Sequence, residues 1–215
     1  MTGIAIFDFD GTLIQGDSLV PFCEFVAGRA AARRALLASV RDAMLRHARD
    51  PRLGADIRTT VKALWLRRTL AGATLDRAAE AAEALARWVR WHPPMLDALK
   101  RHAGKGDHVV VATGALALYM PRLLRDLPVD HLMATGVGVA EGRLTGEIDG
   151  GNCVREEKAR RVRAYLEARG PFPGGTWGYG NRPSDLPFLA LMKHPTVVKT
   201  VRRARDRAPK AAPAI

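Results

Sequence analysis

Residues 4–12 read IAIFDFDGT. Four apolar residues, Ile4 to Phe7, run directly into two carboxylates, Asp8 and Asp10, which flank Phe9 and precede Gly11. An apolar run of this length, bounded by turn residues, predicts a short buried strand. Two acids at its tip work against folding, because close negative charges repel each other and lose hydration there. The stretch therefore marks a place where stability yields to another demand.

The rest of the chain limits what that demand is. At 215 residues with 47% apolar content, it has room for one full domain, a sizeable insertion and a real core. No secretory leader is expected: the first apolar run is short, lacks a basic start and is broken by Asp8. No apolar stretch approaches the roughly 20 residues that span a bilayer. Cys23 and Cys153 form no spaced metal motif, so a soluble protein in a reducing, cytoplasmic setting is the expectation.

The net charge of +12 rests mostly on arginines scattered through the chain. A basic surface favours anionic partners. The basic runs carry no interleaved aromatics and no recognisable nucleic-acid module, so nucleic acid is not expected as the main partner. A small anionic substrate fits the same charge. The abundance of arginine and alanine throughout also suits simple solvated helix faces.

Working outward from the opening strand, residues 17–91 are rich in alanine, leucine and arginine at helical spacing. They include SLVPFCEFVAG (18–28), ADIRTTVKALWLRRTLAG (55–72) and TLDRAAEAAEALARWVRW (74–91), and predict about four helices. Trp65 and Trp88 fall on apolar faces and are expected in the core. From Pro93 and Pro94, which open a helix, the pattern changes. Strands are predicted at HVVVAT (108–113), near HLMAT (131–135), at GTWGYG (175–180) and at PTVVK (195–199). A hairpin is predicted around Gly142. Helices are predicted over 116–127, 155–170 and 184–192. Strands alternating with helices imply an α/β protein, a Rossmann-like parallel sheet covered on both faces. The division expected is a catalytic core of residues 1–15 and 92–201, a helical cap of 16–91 inserted after the first strand, and a loose basic tail of 202–215.

Ligands of parallel sheets gather beyond the carboxyl ends of the strands. There this sequence places Asp8 and Asp10, Thr113 with Gly114, and Asn181, and a helix supplies Lys158. Each has an ordinary explanation: DG is a turn pair, Lys158 fits an ion-paired helix, and Asn181 and Asp185 cap helices. As a set they suit phosphoryl transfer. A carboxylate, Asp8, attacks phosphorus and splits hydrolysis into two easier steps. Mg²⁺, held by oxygen ligands, offsets the negative charge. Lys158 and Thr113 bind the phosphate oxygens. Asp10 protonates the departing alkoxide and later takes a proton from water. Gly11 lets the backbone come close to the phosphate.

DFDGTL (8–13) resembles the first motif of the haloacid dehalogenase superfamily, whose phosphatases use such an Asp-x-Asp pair. VVVATGA (109–115), EEK (156–158) and YGNRPSDLPFL (179–189) resemble its second, third and fourth motifs. GRLTGEIDGGNCVREEKARRVRAYL (142–166) is similar to the phosphoserine-phosphatase-like subgroup, which carries a helical cap after the first strand. The resemblance implies a Mg²⁺-dependent hydrolase of small-molecule phosphomonoesters. Asp8, Asp10 and Asn181 would hold the metal, Asp185 would stand behind them, and Gly11, Thr113, Gly114 and Lys158 would hold the phosphate.

Two departures stand out. The fourth motif usually begins with an aspartate where this chain has Asn181, which removes one negative charge from the metal site. Asp17 stands where phosphoserine phosphatases carry a glutamate for the substrate amine; capping of the first cap helix is the competing role. Arg58, Arg67 and Arg68 are candidates for a second anionic group of the substrate, or else surface arginines. His92, His131 and His194 have no ligand spacing. A dehalogenase would leave Asp10 without a task, and a glycosyltransferase would not explain Thr113 and Lys158. A response-regulator receiver is about half this length and lacks the helical insertion. A catalytically degraded relative, bearing Asn181, that binds phosphorylated ligands or a partner without turnover is the alternative.

Overall fold

The computed structural model describes residues 2–49, 56–181 and 183–199. The expected tail, 202–215, lies outside the described residues. The opening stretch forms β1 (Ile4–Phe7), whose four side chains are wholly buried. Strand alternation sends Ala5 and Phe7 into one apolar cluster and Ile4 and Ile6 into another on the opposite face. A strand covered on both faces has no place for a polar residue, which is why it reads as a continuous apolar run.

Five further strands complete one sheet: β2 (His108–Leu116), β3 (His131–Ala140), β4 (Arg143–Asp149), β5 (Thr176–Gly180) and β6 (His194–Val197). Their order is β4-β3-β2-β1-β5-β6. β1 runs parallel to β2 on one side, with Ile6 opposite Val110, and to β5 on the other, with Ile6 opposite Gly178. The chain leaves β1 for both sides of the sheet, so the crevice where ligands of such sheets gather opens directly above Phe7.

The sheet is mixed rather than all parallel. β4 returns antiparallel to β3 through a turn at Glu141 and Gly142, both with positive φ (50° and 72°). That geometry suits the right-handed twist of a hairpin, and Gly142 adopts it without strain. Two predicted helices are much shorter than their patterns. β2 continues through Leu116, leaving α6 only Met120–Leu124. α8 covers only Leu186–Leu189, because the chain must turn back in time to pair His194 with Trp177.

The apolar run after β1 becomes four helices: α1 (Leu19–Ala27), α2 (Arg29–Arg49), α3 (Ile57–Leu70) and α4 (Leu75–Trp88). Trp65 is buried among them and donates its indole N–H to the Ala32 carbonyl at 2.8 Å, while Trp88 is half-buried against the same cluster. α5 (Pro93–Gly104) covers the face of the sheet on which Phe7 lies; α7 (Arg155–Arg169) and α8 cover the other, through Ala159, Val162 and Phe188. Among the described residues, no helix is long and apolar enough to cross a membrane. Cys23 and Cys153 are both buried and free.

Candidate active site

The end of β1 delivers Asp8 into a cavity of about 300 Å³ between the sheet and the helical layer. Asp8, Asp10, Thr113, Gly114, Lys158 and Asn181 all line it. β1 contributes the acid pair, β2 contributes Thr113 and Gly114, α7 contributes Lys158 from its first turn, and the end of β5 contributes Asn181.

Lys158 is 2% exposed and sits between two carboxylates: its Nζ donates to Asp8 Oδ1 at 2.8 Å and to Asp185 Oδ1 at 2.5 Å. The ring of Phe188 lies 5.3 Å below the ammonium. Burial by itself would strip the proton from this lysine, but the charges of Asp8 and Asp185 outweigh it and hold the ammonium above the ordinary lysine range. Asp185, itself buried, uses its other oxygen to accept the Asn181 backbone N–H at 2.8 Å. Gly180 makes this approach possible, since a Cβ there would stand 2.7 Å from Cβ of Asp185.

The two acids of the opening motif differ in surroundings. Asp8 is pushed up to about 6, chiefly by burial, with Lys158 pulling the other way. Its second oxygen accepts the Thr12 hydroxyl at 3.1 Å and the Asn181 amide at 3.3 Å. Asp10 is pushed well above the ordinary carboxylate range by burial and then by the charge of Asp17; its Oδ1 accepts the Ser18 N–H at 2.8 Å. Asp8 pairs directly with the Lys158 ammonium, whereas Asp10 forms no ion pair among the described residues. The two carboxyls thus sit in different electrostatic surroundings, Asp8 against an ammonium and Asp10 against a second carboxylate, that of Asp17.

Thr113 is wholly buried, and its oxygen accepts the Ala115 N–H at 3.0 Å, which leaves its own proton to donate. Gly11 has φ 73°, a left-handed conformation in the turn where Phe9 O accepts the Thr12 and Ile14 N–H groups. Among the described residues no three His, Cys, Asp or Glu side chains gather to hold a metal. A mixed oxygen set does converge. Asn181 Nδ2 stands 3.3 Å from Asp8 Oδ2 and 2.8 Å from the Asp10 carbonyl oxygen, with its N–H groups supplying positive character to both. Turned over, the same amide presents an oxygen, and carboxylate, carbonyl and amide oxygens are the donors Mg²⁺ takes. The residues present fit such an ion.

The remaining expectations divide. Arg58 lines the cavity. Arg67 and Arg68 do not: Arg68 reaches across to α2, to the buried Ser39 at 2.8 Å and to Asp42 at 2.5 Å, and Arg67 is exposed. Helical spacing alone put all three on α3, but 58 and 68 face different ways. Asp17 lines the cavity edge and also caps α1, its Oδ1 accepting the N–H groups of Leu19 (2.9 Å) and Val20 (3.1 Å). His92 binds the Thr12 carbonyl oxygen, His131 stacks on Tyr165 and His194 on Trp177, all outside the cavity.

Sequence reasoning overlooked Lys62, Thr59, Asp56, Asn152 and Arg155, which form the wall opposite Asp8. Lys62 had a signal: it is the only lysine among residues 1–99. Arg155 has none in the sequence, yet it adopts φ 48°, an unfavourable region for a side-chain-bearing residue, and pairs with Asp56 at 2.7 Å.

The family model described as haloacid dehalogenase-like hydrolase matches residues 5–190. Protein CicA of Caulobacter vibrioides is 31% identical over 194 residues, covering 87% of this chain and 82% of that protein. The crystal structure of a protein of unknown function from Bordetella pertussis Tohama I superposes with a TM-score of 0.72 at 27% identity, covering 92% of this chain and 90% of the other. A phosphoserine phosphatase solved as a phospho-aspartyl intermediate analogue shares the fold, with a TM-score of 0.64 at 14% identity and coverage of 91% and 86%.

Proposed function

This chain belongs to the haloacid dehalogenase-like hydrolase family, and from that premise we propose that it is a phosphatase that hydrolyses a small-molecule phosphomonoester through an aspartyl-phosphate on Asp8. The observation that carries the reading is the buried Lys158 ammonium fixed 2.8 Å from the Asp8 carboxylate at the floor of the cavity.

Asp8 attacks phosphorus through one of its carboxylate oxygens. Lys158 and the free Thr113 proton take up the charge on the phosphoryl oxygens as the bond to the leaving group lengthens. Asp10, whose carboxyl burial and Asp17 hold well above the ordinary carboxylate range, gives its proton to the departing alkoxide. It then takes one from the water that attacks the acyl phosphate and restores Asp8. Asp8, Asp10 through its carbonyl, and Asn181 would hold Mg²⁺, which supplies positive charge and orientation to the phosphate when bound. The helical layer of residues 16–91 serves as the lid that keeps bulk water from the acyl phosphate. Arg58 faces the leaving-group side and suits a substrate with a second anionic group.

The test is hydrolysis of p-nitrophenyl phosphate with and without Mg²⁺. Asp8→Asn is expected to lose at least about 10³-fold in turnover and Asp10→Asn about 10²-fold or more. Undiminished turnover in Asp8→Asn removes the nucleophile assignment. A second reading has one observation in its favour: the Asn181 amide already donates hydrogen bonds to Asp8 and to the Asp10 carbonyl oxygen, the oxygens a divalent cation would take. On that reading the wild type binds phosphorylated ligands without turnover, and Asn181→Asp creates activity.

A further inference from the structure

Asp56, at the N-cap of α3, and Thr59 and Lys62 within it follow at three-residue spacing; Asp56 reaches Arg155 at the start of α7, and Thr59 and Lys62 reach the strand-end loops. Lys62 Nζ donates to the Gly114 carbonyl at 2.6 Å, to Asn152 Oδ1 at 2.6 Å and to Thr135 Oγ1 at 3.4 Å. These acceptors come from the end of β2, from the loop before α7 and from β3. Asn152 is gripped a second time, its Nδ2 donating to Thr59 Oγ1 at 3.2 Å. All three ammonium protons therefore fall on neutral oxygens. No carboxylate among the described residues forms an ion pair with Lys62, unlike Lys158.

A cation placed only against neutral acceptors loses water without gaining an ion pair, so chain stability alone does not call for it. Burial pushes Lys62 down to about 8, against the opposing charges of Asp10 and Asp17. What the contact achieves is positional. Gly114 follows Thr113 directly, and Gly114 packs so tightly that a Cβ would stand 2.6 Å from Val154, at the foot of α7. Pulling the Gly114 carbonyl fixes the segment that carries the Thr113 hydroxyl, and it draws α3 down over the cavity.

We propose that Lys62 is a positioning residue, a latch that fastens α3 to Gly114 and Asn152 and so sets the closed lid and the Thr113 segment together. The positioning role rests on the phosphatase reading; the latch itself does not. Hydrogen exchange of the full chain tests the latch, and p-nitrophenyl phosphate turnover with Mg²⁺ tests the positioning. Lys62→Met is expected to speed exchange about tenfold in peptides covering 57–70 and 113–117, and to lower kcat about tenfold with KM changed less than about threefold. Lys62→Arg, which keeps the cation and its donors, is expected to recover most of both. Asn152→Ala is the second variant, should Lys62→Met fail to fold, and is expected to speed the same two peptides. Unchanged exchange at 57–70 in both variants overturns the latch. If the wild type turns over, Asp8→Asn does not and Lys62→Met matches the wild type, the positioning role fails while the phosphatase reading stands. If the wild type is inert, the phosphatase reading fails together with the positioning role, and exchange alone decides the latch.

Discussion

Lys158 Nζ lies 2.8 Å from Asp8 Oδ1, although the two residues stand 150 positions apart in the chain. The same ammonium holds Asp185, so one buried cation serves two buried carboxylates. Asp8 at the tip of a buried strand is tolerable because of that partner.

Removing the cation tests this. Lys158→Met leaves Asp8 and Asp185 facing each other with no positive charge between them. Uncompensated buried charge costs about 3–5 kcal/mol, so the thermal midpoint at pH 7 is expected to fall on the order of 10 °C. Turnover is expected to vanish. Adding Asp8→Asn to Lys158→Met is expected to recover part of the lost midpoint, since the two positions are coupled. Calorimetry of the two single variants and the double variant measures that coupling.

Asn181→Asp restores a carboxylate beside Asp8 and the Asp10 carbonyl. Without divalent cations the new charge opposes Asp8, and the thermal midpoint is expected to drop below that of the wild type. With Mg²⁺ the order is expected to reverse, and the Mg²⁺ concentration for half-maximal hydrolysis is expected to fall by about tenfold or more. Melting curves with and without Mg²⁺ read the first effect, and a Mg²⁺ titration of turnover reads the second.

Arg58 and Arg68 share α3 but differ in what they meet. Arg58 lines the cavity, whereas Arg68 is occupied by Ser39 and Asp42 of α2. Arg58→Ala is expected to raise KM about tenfold for a phosphomonoester bearing a carboxylate, and much less for p-nitrophenyl phosphate. Arg68→Ala is expected to leave both KM values within about twofold and to lower stability by less than about 1 kcal/mol. Equal effects of the two changes on KM would remove Arg58 from substrate recognition.

Lys62 gives a pH signature with two opposite parts. Its ammonium is pushed down from the ordinary 10.5 to about 8 by burial, while Asp10 and Asp17 face it with opposing charge; the thiols of Cys153 and Cys23, both pushed up by burial, also face it. Above about pH 8 the amine has fewer protons to give to Gly114, Asn152 and Thr135, so kcat is expected to decline there. Lys62→Arg is expected to move that decline upward by at least about one pH unit, because guanidinium stays charged. Stability runs the other way. Between about 8 and 10.5 the unfolded chain binds this proton and the folded chain does not, so the contribution of Lys62 to stability rises with pH across that window. Parallel pH series of kcat and of urea midpoints for wild type and Lys62→Arg separate the two trends.

The opening motif was readable because its physics is local. Apolar residues at every position of Ile4–Phe7 require burial on both faces, and acids at the tip of such a strand require a compensating charge. Gly11 with its positive φ, the hairpin at Gly142 and the four helices after β1 follow from the same short-range rules. The shortness of α6 and α8 does not, since strand pairing and the distance back to the sheet decided it.

The wall opposite Asp8 is likewise a product of tertiary structure. Asp56, Thr59, Lys62, Asn152 and Arg155 carry no shared motif and become neighbours only when α3 settles over the strand ends. The sequence by itself determined that a carboxylate pair would end a buried central strand and that Thr113, Lys158, Asn181 and Asp185 belonged with it. Which arginine of α3 points inward, and that Lys62 meets the strand ends, was decided by rotation about the helix axis. That rotation is set by packing against the rest of the molecule, which no local pattern encodes.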